Sequence, residues 1–282
     1  MPELGGDTPL EQCLSEANEA GFIGIESGGK FPKHSKDLLP LLKKHNLNLC
    51  SGWYGANLRT NSVKEEIDLI QDQLTLFKDC NSPCMVFAEV SDSVQGDSNK
   101  RLSERPQMDL EESKSFYKKI SEIAKYLEDK GMPLAYHHHM GTVIETHEDT
   151  EKLLENTDDS VKLTLDTGHM LFAQGNSKKI LEDFSSRIIH IHCKDIRKNV
   201  LENSLKNDLS FRGAFLEGAF TVPGDGCIDY KPLFDILKEK NYSRWLVVEA
   251  EQDPSKANPL EYAIKGYEYL TKTLKSHSSY NK

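Results

Sequence analysis

The sequence predicts an α/β fold, a (β/α)8 barrel, from two observations. Short apolar runs with strand character alternate with helical stretches along the 282 residues of the chain. In addition, polar residues that can bind metals end or follow four successive apolar runs: Glu145, Asp166, His192 and Glu249. Because the carboxyl ends of barrel strands meet at one face, these side chains are expected to converge there. We therefore expect a single domain over 1–282 with a metal site at that face.

Seven strands and eight helices are predicted in alternation. The strands lie at 22–27, 47–55, 83–90, 132–140, 161–166, 187–195 and 244–251. The helices lie at 8–20, 36–45, 63–80, 109–130, 146–156, 177–184, 230–240 and 260–274. Thr8 and Pro9 suit the start of the first helix, and Gly131 suits the end of the fourth. The tail at 276–282 is expected to be frayed.

The series opens on a helix, although an eightfold barrel opens on a strand. We find no candidate strand before Thr8, so the first strand is expected to be missing from this chain. Two polar segments, 91–107 and 199–226, follow strands on the side of the predicted site. Active-site lids and tolerated surface insertions explain these segments equally well.

Composition excludes several classes of partner. The net charge of -10 argues against nucleic acid and against an anionic membrane surface, because both require a basic face. The sequence contains no apolar run of 18 residues, and its N-terminus lacks the features of a signal peptide. The six cysteines are scattered without a CxxC pair, which predicts reduced thiols in the cytoplasm. Homo-oligomerisation is left open.

Two of the predicted ligands, Asp166 and Glu249, end apolar strands. Asp166 ends VKLTLD in the segment LDTGH, where Gly168 and His169 are expected to separate it from the next helix, which argues against a simple helix cap. Glu249 ends WLVVE, and Glu251 lies on the same strand face as an alternative ligand. We expect His169 to contact substrate or to support a metal ligand, rather than to bind the metal itself.

The segment HHHMGTVIE is the least ordinary part of the chain. On a strand, His138 would lie on one face, and His137 and His139 on the other. We expect one or two of these histidines to touch substrate. Glu145 follows six residues later, which would let the loop curl back and place its carboxylate on the metal.

HIHCKD places His190, His192 and Lys194 on one strand face. His192 is the expected ligand, and His190, one layer deeper, is expected to be a core histidine. Lys194 could stabilise an oxyanion or transfer protons, or it could be a residue of the solvent-facing rim. Glu26, which ends FIGIE, could act in acid/base chemistry or orient a metal ligand.

A ligand set of two Glu, one Asp and one His suits Mn²⁺, Co²⁺ or Mg²⁺. Such an ion can polarise a ketone while a side chain removes the neighbouring proton. Glu145, Lys194, His138 and Glu26 are the candidate bases, with Glu145 slightly favoured. Isomerisation, epimerisation and dehydration all remain open at this point.

Eight segments of the chain resemble the inosose dehydratase family. They are GGKFP (28–32), SGWYGANL (51–58), MVFAEVS (85–91), YHHHMGTVIET (136–146), LDTGH (165–169), HIHCKD (190–195), VPGDGCIDY (222–230) and VVEAEQDPSKANPLEYA (247–263). The resemblance runs nearly end to end. It implies a barrel of the xylose-isomerase-like type that dehydrates 2-keto-myo-inositol, a cyclic polyol ketone, with Mn²⁺ or Co²⁺ and with glutathione, for which no binding motif is visible. Trp53, His137, His139 and His169 would then contact substrate.

The sequence departs from this family at its start. Family members begin with a strand ahead of the segment that matches PELGGDTPLE, so we expect a gap between the second and eighth strand positions of the barrel. A ketose epimerase or isomerase on the same barrel, and an inactive truncated chain, are the alternatives to a dehydratase.

Overall fold

The computed structural model describes residues 2–278 and contains nine strands in that part of the chain. They are β1 (Gly24–Ser27), β2 (Asn48–Ala56), β3 (Met85–Glu89), β4 (Leu134–His137), β5 (Lys162–Asp166), β6 (Ile188–Cys193), β7 (Asp195–Ile196), β8 (Phe220–Thr221) and β9 (Leu246–Val248). Seven of them form one parallel sheet in the order β1-β2-β3-β4-β5-β6-β9, which curls into a nearly closed barrel. β7 and β8 form a separate antiparallel pair. The predicted barrel of seven strands is confirmed.

Eleven α-helices are present among residues 2–278. They are α1 (Leu10–Glu19), α2 (Ser35–Lys44), α3 (Val63–Asp79), α4 (Leu110–Asp129), α5 (His147–Glu155), α6 (Thr167–Phe172), α7 (Ser177–Phe184), α8 (Lys198–Lys206), α9 (Phe211–Leu216), α10 (Lys231–Glu239) and α11 (Pro259–Ser278). Eight correspond to the predicted helices, and α6, α8 and α9 are additional. None of the described helices is long and apolar enough to cross a membrane. Of the predicted frayed tail at 276–282, residues 276–278 belong to α11, and the part from 279 onward lies outside the described residues.

The central strands are buried because each lies between two other strands and beneath the outer helices. Every residue of β3, β4 and β6 is buried, whereas β1 and β9 are only half-buried along their lengths. This difference follows from their positions, since β1 and β9 are the two ends of the sheet.

A cleft separates β1 from β9, where the sequence predicts a gap. Within the described residues β1 pairs only with β2, and β9 only with β6. The cleft has a volume of about 670 Å³ and is lined mainly by apolar side chains, among them Ile25, Val222 and Trp245. At its amino end the Trp245 ring lies against Gly24, where an added Cβ would meet the ring at 2.6 Å.

The predicted irregular segment at 199–226 is in fact folded. It contains α8, α9 and β8, and the buried side chains of Phe211, Phe215 and Phe220 pack against Phe172 in one apolar cluster. The segment at 91–107 matches the prediction better, because it contains only a short 3-10 helix at Leu102–Glu104.

Candidate active site

Four polar side chains meet at the carboxyl ends of adjacent barrel strands. His137 ends β4, Asp166 ends β5, His192 lies near the end of β6 and Glu249 directly follows β9. Each offers one ligand atom, and the four atoms lie within 4.8 Å of one another. We call His137, Asp166, His192 and Glu249 the four-residue cluster. In the strand register Asp166 is opposite His192, whereas His137 is opposite Thr164 and Glu249 lies two residues beyond Val247, the partner of His192.

The spacing of the cluster fits a divalent metal. His137 Nε2 lies 3.1 Å from His192 Nδ1 and 3.4 Å from Asp166 Oδ2. His192 Nδ1 lies 3.5 Å from Asp166 Oδ2 and 2.8 Å from Glu249 Oε2. Ligands at about 2.1 Å from one ion are roughly 3.0–3.4 Å apart in octahedral or tetrahedral coordination. The four atoms are therefore already close to the separations that a shared ion would impose.

Unsatisfied buried oxygens support the same conclusion. Asp166 Oδ2 and Glu249 Oε2 are both buried, and neither has a hydrogen-bond partner of good geometry among residues 2–278. Both lie within ion-pair distance of Lys194 Nζ, but a buried carboxylate oxygen is fully satisfied only by a hydrogen bond or a metal. The donor set of two histidines and two carboxylates is therefore one that could hold a divalent ion.

Lys194 lies beside the cluster and is fully buried. Its Nζ is 3.3 Å from Asp166 Oδ2, 3.2 Å from Glu249 Oε2 and 3.1 Å from Glu251 Oε2. It also lies 3.0 Å from His169 Nε2. Burial disfavours the ammonium, but the three carboxylates outweigh burial and raise the pKa of Lys194 above its ordinary value. Of the two alternatives for Lys194, the structure therefore excludes a solvent-facing rim residue.

Glu251 belongs with Lys194 rather than with the four-residue cluster. Its Oε2 accepts a hydrogen bond from Lys194 Nζ and lies 3.6 Å from His169 Nε2. Burial raises the pKa of Glu251 to about 7, and the Glu249 carboxylate adds to this effect while the Lys194 ammonium opposes it. Lys194, Glu251 and His169 thus form a polar group next to the candidate metal ligands.

Aromatic and imidazole rings line the wall above these groups. The His139 and His169 rings lie 3.9 Å apart between centroids, and the half-exposed Trp53 ring contacts the edges of His137 and His139 at 5.4 Å. Burial, together with the nearby positive groups, lowers the pKa of His139 to about 3, so this ring is neutral. The structure therefore brings together all four predicted substrate contacts: Trp53, His137, His139 and His169.

The structure does not bring Glu145 to the cluster. Its Oε2 accepts a hydrogen bond from the Gly141 amide at 2.6 Å, and its Oε1 lies 3.5 Å from Arg105 Nε. β4 ends at His137, so Glu145 lies in the following loop, and His137 takes the position that the sequence analysis gives to Glu145. The other three predicted ligands, Asp166, His192 and Glu249, do converge.

His138 is the second predicted base that the structure places away from the cluster. Its side chain lies on the side of β4 opposite to that of His137. Its Nε2 accepts a hydrogen bond from the Asp166 amide at 3.2 Å. Burial, reinforced by the neighbouring positive groups, lowers the pKa of His138 to about 3. A neutral imidazole already accepting this bond holds the backbone of Asp166 in place and has no free lone pair for a substrate proton.

Asp166 is also the cap of a helix, contrary to the sequence analysis. α6 begins immediately after it, and Asp166 Oδ1 accepts a hydrogen bond from the His169 amide at 2.8 Å. Gly168 permits this arrangement because a Cβ there would lie 2.7 Å from Lys194 Cγ. The segment LDTGH therefore fixes Asp166, His169 and Lys194 relative to one another.

Glu26 lies behind the cluster, at the edge of the cleft. Its Oε1 is 2.7 Å from His190 Nε2, and its Oε2 is 3.1 Å from His192 Nε2. Burial would raise the pKa of Glu26, but the two histidines hold it well below its ordinary value. His190 is fully buried, as predicted for a core histidine, yet it is connected to the site through Glu26.

Comparison with protein families shows where this arrangement belongs. A sequence profile described as the xylose isomerase-like TIM barrel matches residues 14–273. The chain belongs to this family. It is 43% identical over 272 residues to the rhizopine catabolism protein MocC of Rhizobium meliloti. This match covers 96% of this chain and 84% of that protein. It is 42% identical to an inosose dehydratase of Clostridium tetani, over 96% of this chain and 91% of the relative.

Solved structures share the fold at much lower identity. One of them is the IOLI protein with a bound zinc atom, which superposes with a TM-score of 0.65 at 19% identity. The match covers 95% of this chain and 93% of that protein. At this identity the similarity establishes the fold alone.

Proposed function

We propose that this member of the xylose isomerase-like family is a hydro-lyase that dehydrates 2-keto-myo-inositol (scyllo-inosose). The product would be a trihydroxycyclohexane-1,2-dione. One observation carries the proposal: the four-residue cluster lies against a buried group of Lys194, His169 and Glu251. Elimination of water needs electrophilic assistance at a carbonyl and proton transfer beside it, and this arrangement offers residues for both. The identity to an inosose dehydratase supports the choice of substrate.

The metal in this proposal is Mn²⁺ or Co²⁺, held by His137, Asp166, His192 and Glu249. The set contains no thiolate, and two carboxylate oxygens with two imidazoles suit either ion. When bound, such an ion supplies Lewis acidity toward a ketone oxygen. The family resemblance adds glutathione as a further proposed cofactor.

The protein groups handle protons in the proposed reaction. The C–H bond beside the carbonyl breaks, the C–O bond on the next carbon breaks, and a C=C bond forms between those two carbons. The product is an enol, which becomes the 1,2-dione when its hydroxyl proton is lost and a proton is added to carbon. One group must accept the proton and another must protonate the departing hydroxyl, which leaves as water. Lys194, His169 and Glu251 are close enough to share these two tasks, because the polar atoms of each pair among them lie within 3.6 Å. We do not propose Glu145 or His138 for these tasks, because Glu145 accepts from the Gly141 amide and His138 accepts from the Asp166 amide.

The site is proposed to work on a small cyclic polyol ketone in the cytoplasm. All six cysteines are free, and Cys50, Cys80, Cys84 and Cys193 among them are buried. Free buried thiols are typical of proteins from reducing compartments. Whether copies of the chain associate is left to measurement.

The direct test is turnover of purified protein loaded with Mn²⁺ or Co²⁺. Incubation with 2-keto-myo-inositol is expected to produce the absorbance of an enone or diketone, and chelation of the metal should abolish it. Lys194→Met, which keeps the chain length but removes the ammonium, should lower turnover by about 10²–10⁴-fold.

A ketose epimerase or isomerase is the rival function. In that case the proton beside the carbonyl would exchange with solvent deuterium, and no dehydrated product would form. Exchange without dehydration in the metal-loaded protein would contradict the proposed reaction while leaving the metal site intact.

A further inference from the structure

We propose that Glu26, supported by His190, is a positioning residue that holds the His192 ring with its Nδ1 directed at the metal. The inference rests on the metal site of the proposed function. It concerns the half-buried Glu26 and the buried His190, which the proposed proton transfers do not use.

The contacts place Glu26 directly behind His192. Glu26 Oε2 lies 3.1 Å from His192 Nε2, on one side of the imidazole. On the other side, His192 Nδ1 lies 2.8 Å from Glu249 Oε2 and 3.1 Å from His137 Nε2. The ring therefore stands between the Glu26 carboxylate and the remaining atoms of the four-residue cluster.

Carboxylates face both nitrogens of His192, with Glu26 Oε2 at Nε2 and Glu249 Oε2 at Nδ1. The Nε2 contact is at ion-pair distance and lacks the angle of a hydrogen bond. When a metal binds Nδ1, the proton of the neutral ring is on Nε2, on the side where the Glu26 carboxylate can accept it. A carboxylate behind a ligating histidine also restricts ring rotation and strengthens its basicity.

His190 anchors Glu26 from the second side. Its Nε2 lies 2.7 Å from Glu26 Oε1, and its Nδ1 lies 3.7 Å from the buried Cys84 Sγ. Each oxygen of Glu26 is thus already paired with a histidine nitrogen. This occupancy argues against Glu26 as the base that removes a substrate proton.

The backbone also directs Glu26 to this position. In the pairing of β1 with β2, Ile25 is opposite Leu49 but Glu26 is opposite Ser51, so the register shifts between them. Such irregularities change the direction of the following side chain and are common next to active sites. The irregularity in the β1–β2 pair therefore has a specific result, which is the contact between Glu26 and His192.

Glu26→Gln tests the inference, because the amide has one acceptor oxygen for two histidine N–H groups. We expect the dissociation constant for Mn²⁺, measured by calorimetry on chelator-treated protein, to rise about 10–100-fold. The visible spectrum of the Co²⁺ form should also change, because the ligand field depends on the orientation of His192. A role in stability alone would alter neither the Co²⁺ spectrum nor the affinity of the folded protein.

Glu89→Gln is the matched control. Glu89 also ends a barrel strand and is buried, but its oxygens accept from the Leu58 and Ser91 amides and do not contact the cluster. This variant should lower the melting temperature and leave the Mn²⁺ dissociation constant unchanged. His190→Gln, which removes one partner of Glu26, should weaken Mn²⁺ binding by less than Glu26→Gln, and the double variant should be no weaker than Glu26→Gln.

The outcomes separate this inference from the proposed function. If the unaltered chain binds Mn²⁺ and both Glu26→Gln and His190→Gln bind it equally well, the positioning role is wrong and the metal site stands. If the unaltered chain binds neither Mn²⁺ nor Co²⁺, the metal site itself is wrong and the positioning role with it.

Discussion

Asp166 uses its two carboxylate oxygens for different purposes. Oδ1 caps α6 by accepting from the His169 amide, whereas Oδ2 faces the four-residue cluster. Burial would raise the pKa of Asp166, but the Lys194 ammonium and the surrounding histidines hold it well below its ordinary value. The carboxylate is therefore ionised, which is the state that both a helix cap and a metal ligand require.

At the residue scale, the first prediction distinguishes His137 from Glu145 as a metal ligand. His137→Ala and Asp166→Asn should each lose bound Mn²⁺ or Co²⁺ and reduce turnover by orders of magnitude. Glu145→Gln should retain the metal, because Glu145 contacts Arg105 and Gly141 instead. Elemental analysis of the dialysed proteins gives the stoichiometry, and circular dichroism confirms that each variant is folded. Loss of metal from Glu145→Gln with retention in His137→Ala would reverse the assignment.

The second prediction concerns the pH dependence of stability. Burial raises the pKa of Glu145 to about 7, although the Gly141 amide and the Arg105 guanidinium oppose it. The folded state therefore holds this proton more tightly than the unfolded state, so the contribution to stability is full below about pH 4.5 and is lost as the pH rises through 7. Between pH 5 and 8, the free energy of unfolding should fall by roughly 2–3 kcal/mol more in the unaltered chain than in Glu145→Gln.

Urea unfolding of both proteins at several pH values in this range measures the difference. A constant difference between the two proteins across the range would show that Glu145 has an ordinary pKa in the fold.

A single site residue could be predicted where the sequence showed at which residue its strand ends. Asp166, His192 and Glu249 follow short, unambiguous apolar runs, and the structure brings them together. For β4, the apolar run continues into HHHMGTVIE, and periodicity could not show that the strand ends at His137. The contact of Arg105 with Glu145 is equally invisible in sequence, because the two residues lie 40 positions apart and meet only through folding.

At the scale of elements, the segments most difficult to predict are the short helices after β5 and β7. α6 has only six residues and includes Gly168 and His169, so it lacks a readable apolar period. α8 contributes Leu201 and α9 contributes Phe211 and Phe215 to the apolar cluster around Phe172, and this stabilisation is a tertiary effect. The longer helices have clear periodicity, and α7 has the predicted bounds of Ser177–Phe184.

The third prediction addresses α9, which packs against the His139 and His169 rings of the site. The Phe211 ring is buried and lies 5.3 Å from the His139 ring and 5.6 Å from the His169 ring. Phe211→Ala should lower the free energy of unfolding by about 3–5 kcal/mol and reduce turnover, because the cavity removes support from both imidazoles. Leu110→Ala is the control, since Leu110 is 69% exposed and its loss should cost less than about 0.5 kcal/mol.

Urea unfolding and turnover should be measured on both variants. If Phe211→Ala is destabilised but retains full turnover, α9 contributes to the fold and not to the position of the histidines.

At the scale of the whole molecule, the cleft between β1 and β9 is the main departure from a closed barrel. A closed barrel has no free strand edges, but here β1 and β9 each have one edge without a partner strand among residues 2–278. The cleft borders the active site directly, because Glu26 and Glu249 both line it. The order of the sheet and the position of this gap could be read from the sequence, whereas the closure of its amino end by Trp245 on Gly24 could not.

The last prediction is that filling the cleft stabilises both the barrel and the site. Leu4, Gly5 and Thr8 line the cleft, so a strand-forming segment of about 20 residues added before Met1 can enter it from the existing amino end. Such a segment would pair with the free edges of β1 and β9 and bury apolar surface, at roughly 25 cal/mol per Å². Burial of this apolar surface should raise the melting temperature by several degrees. Because Glu26 and Glu249 line the cleft, the added strand should also raise the turnover number. Equal values for the two forms would show that the seven-stranded barrel functions as fully without the added strand.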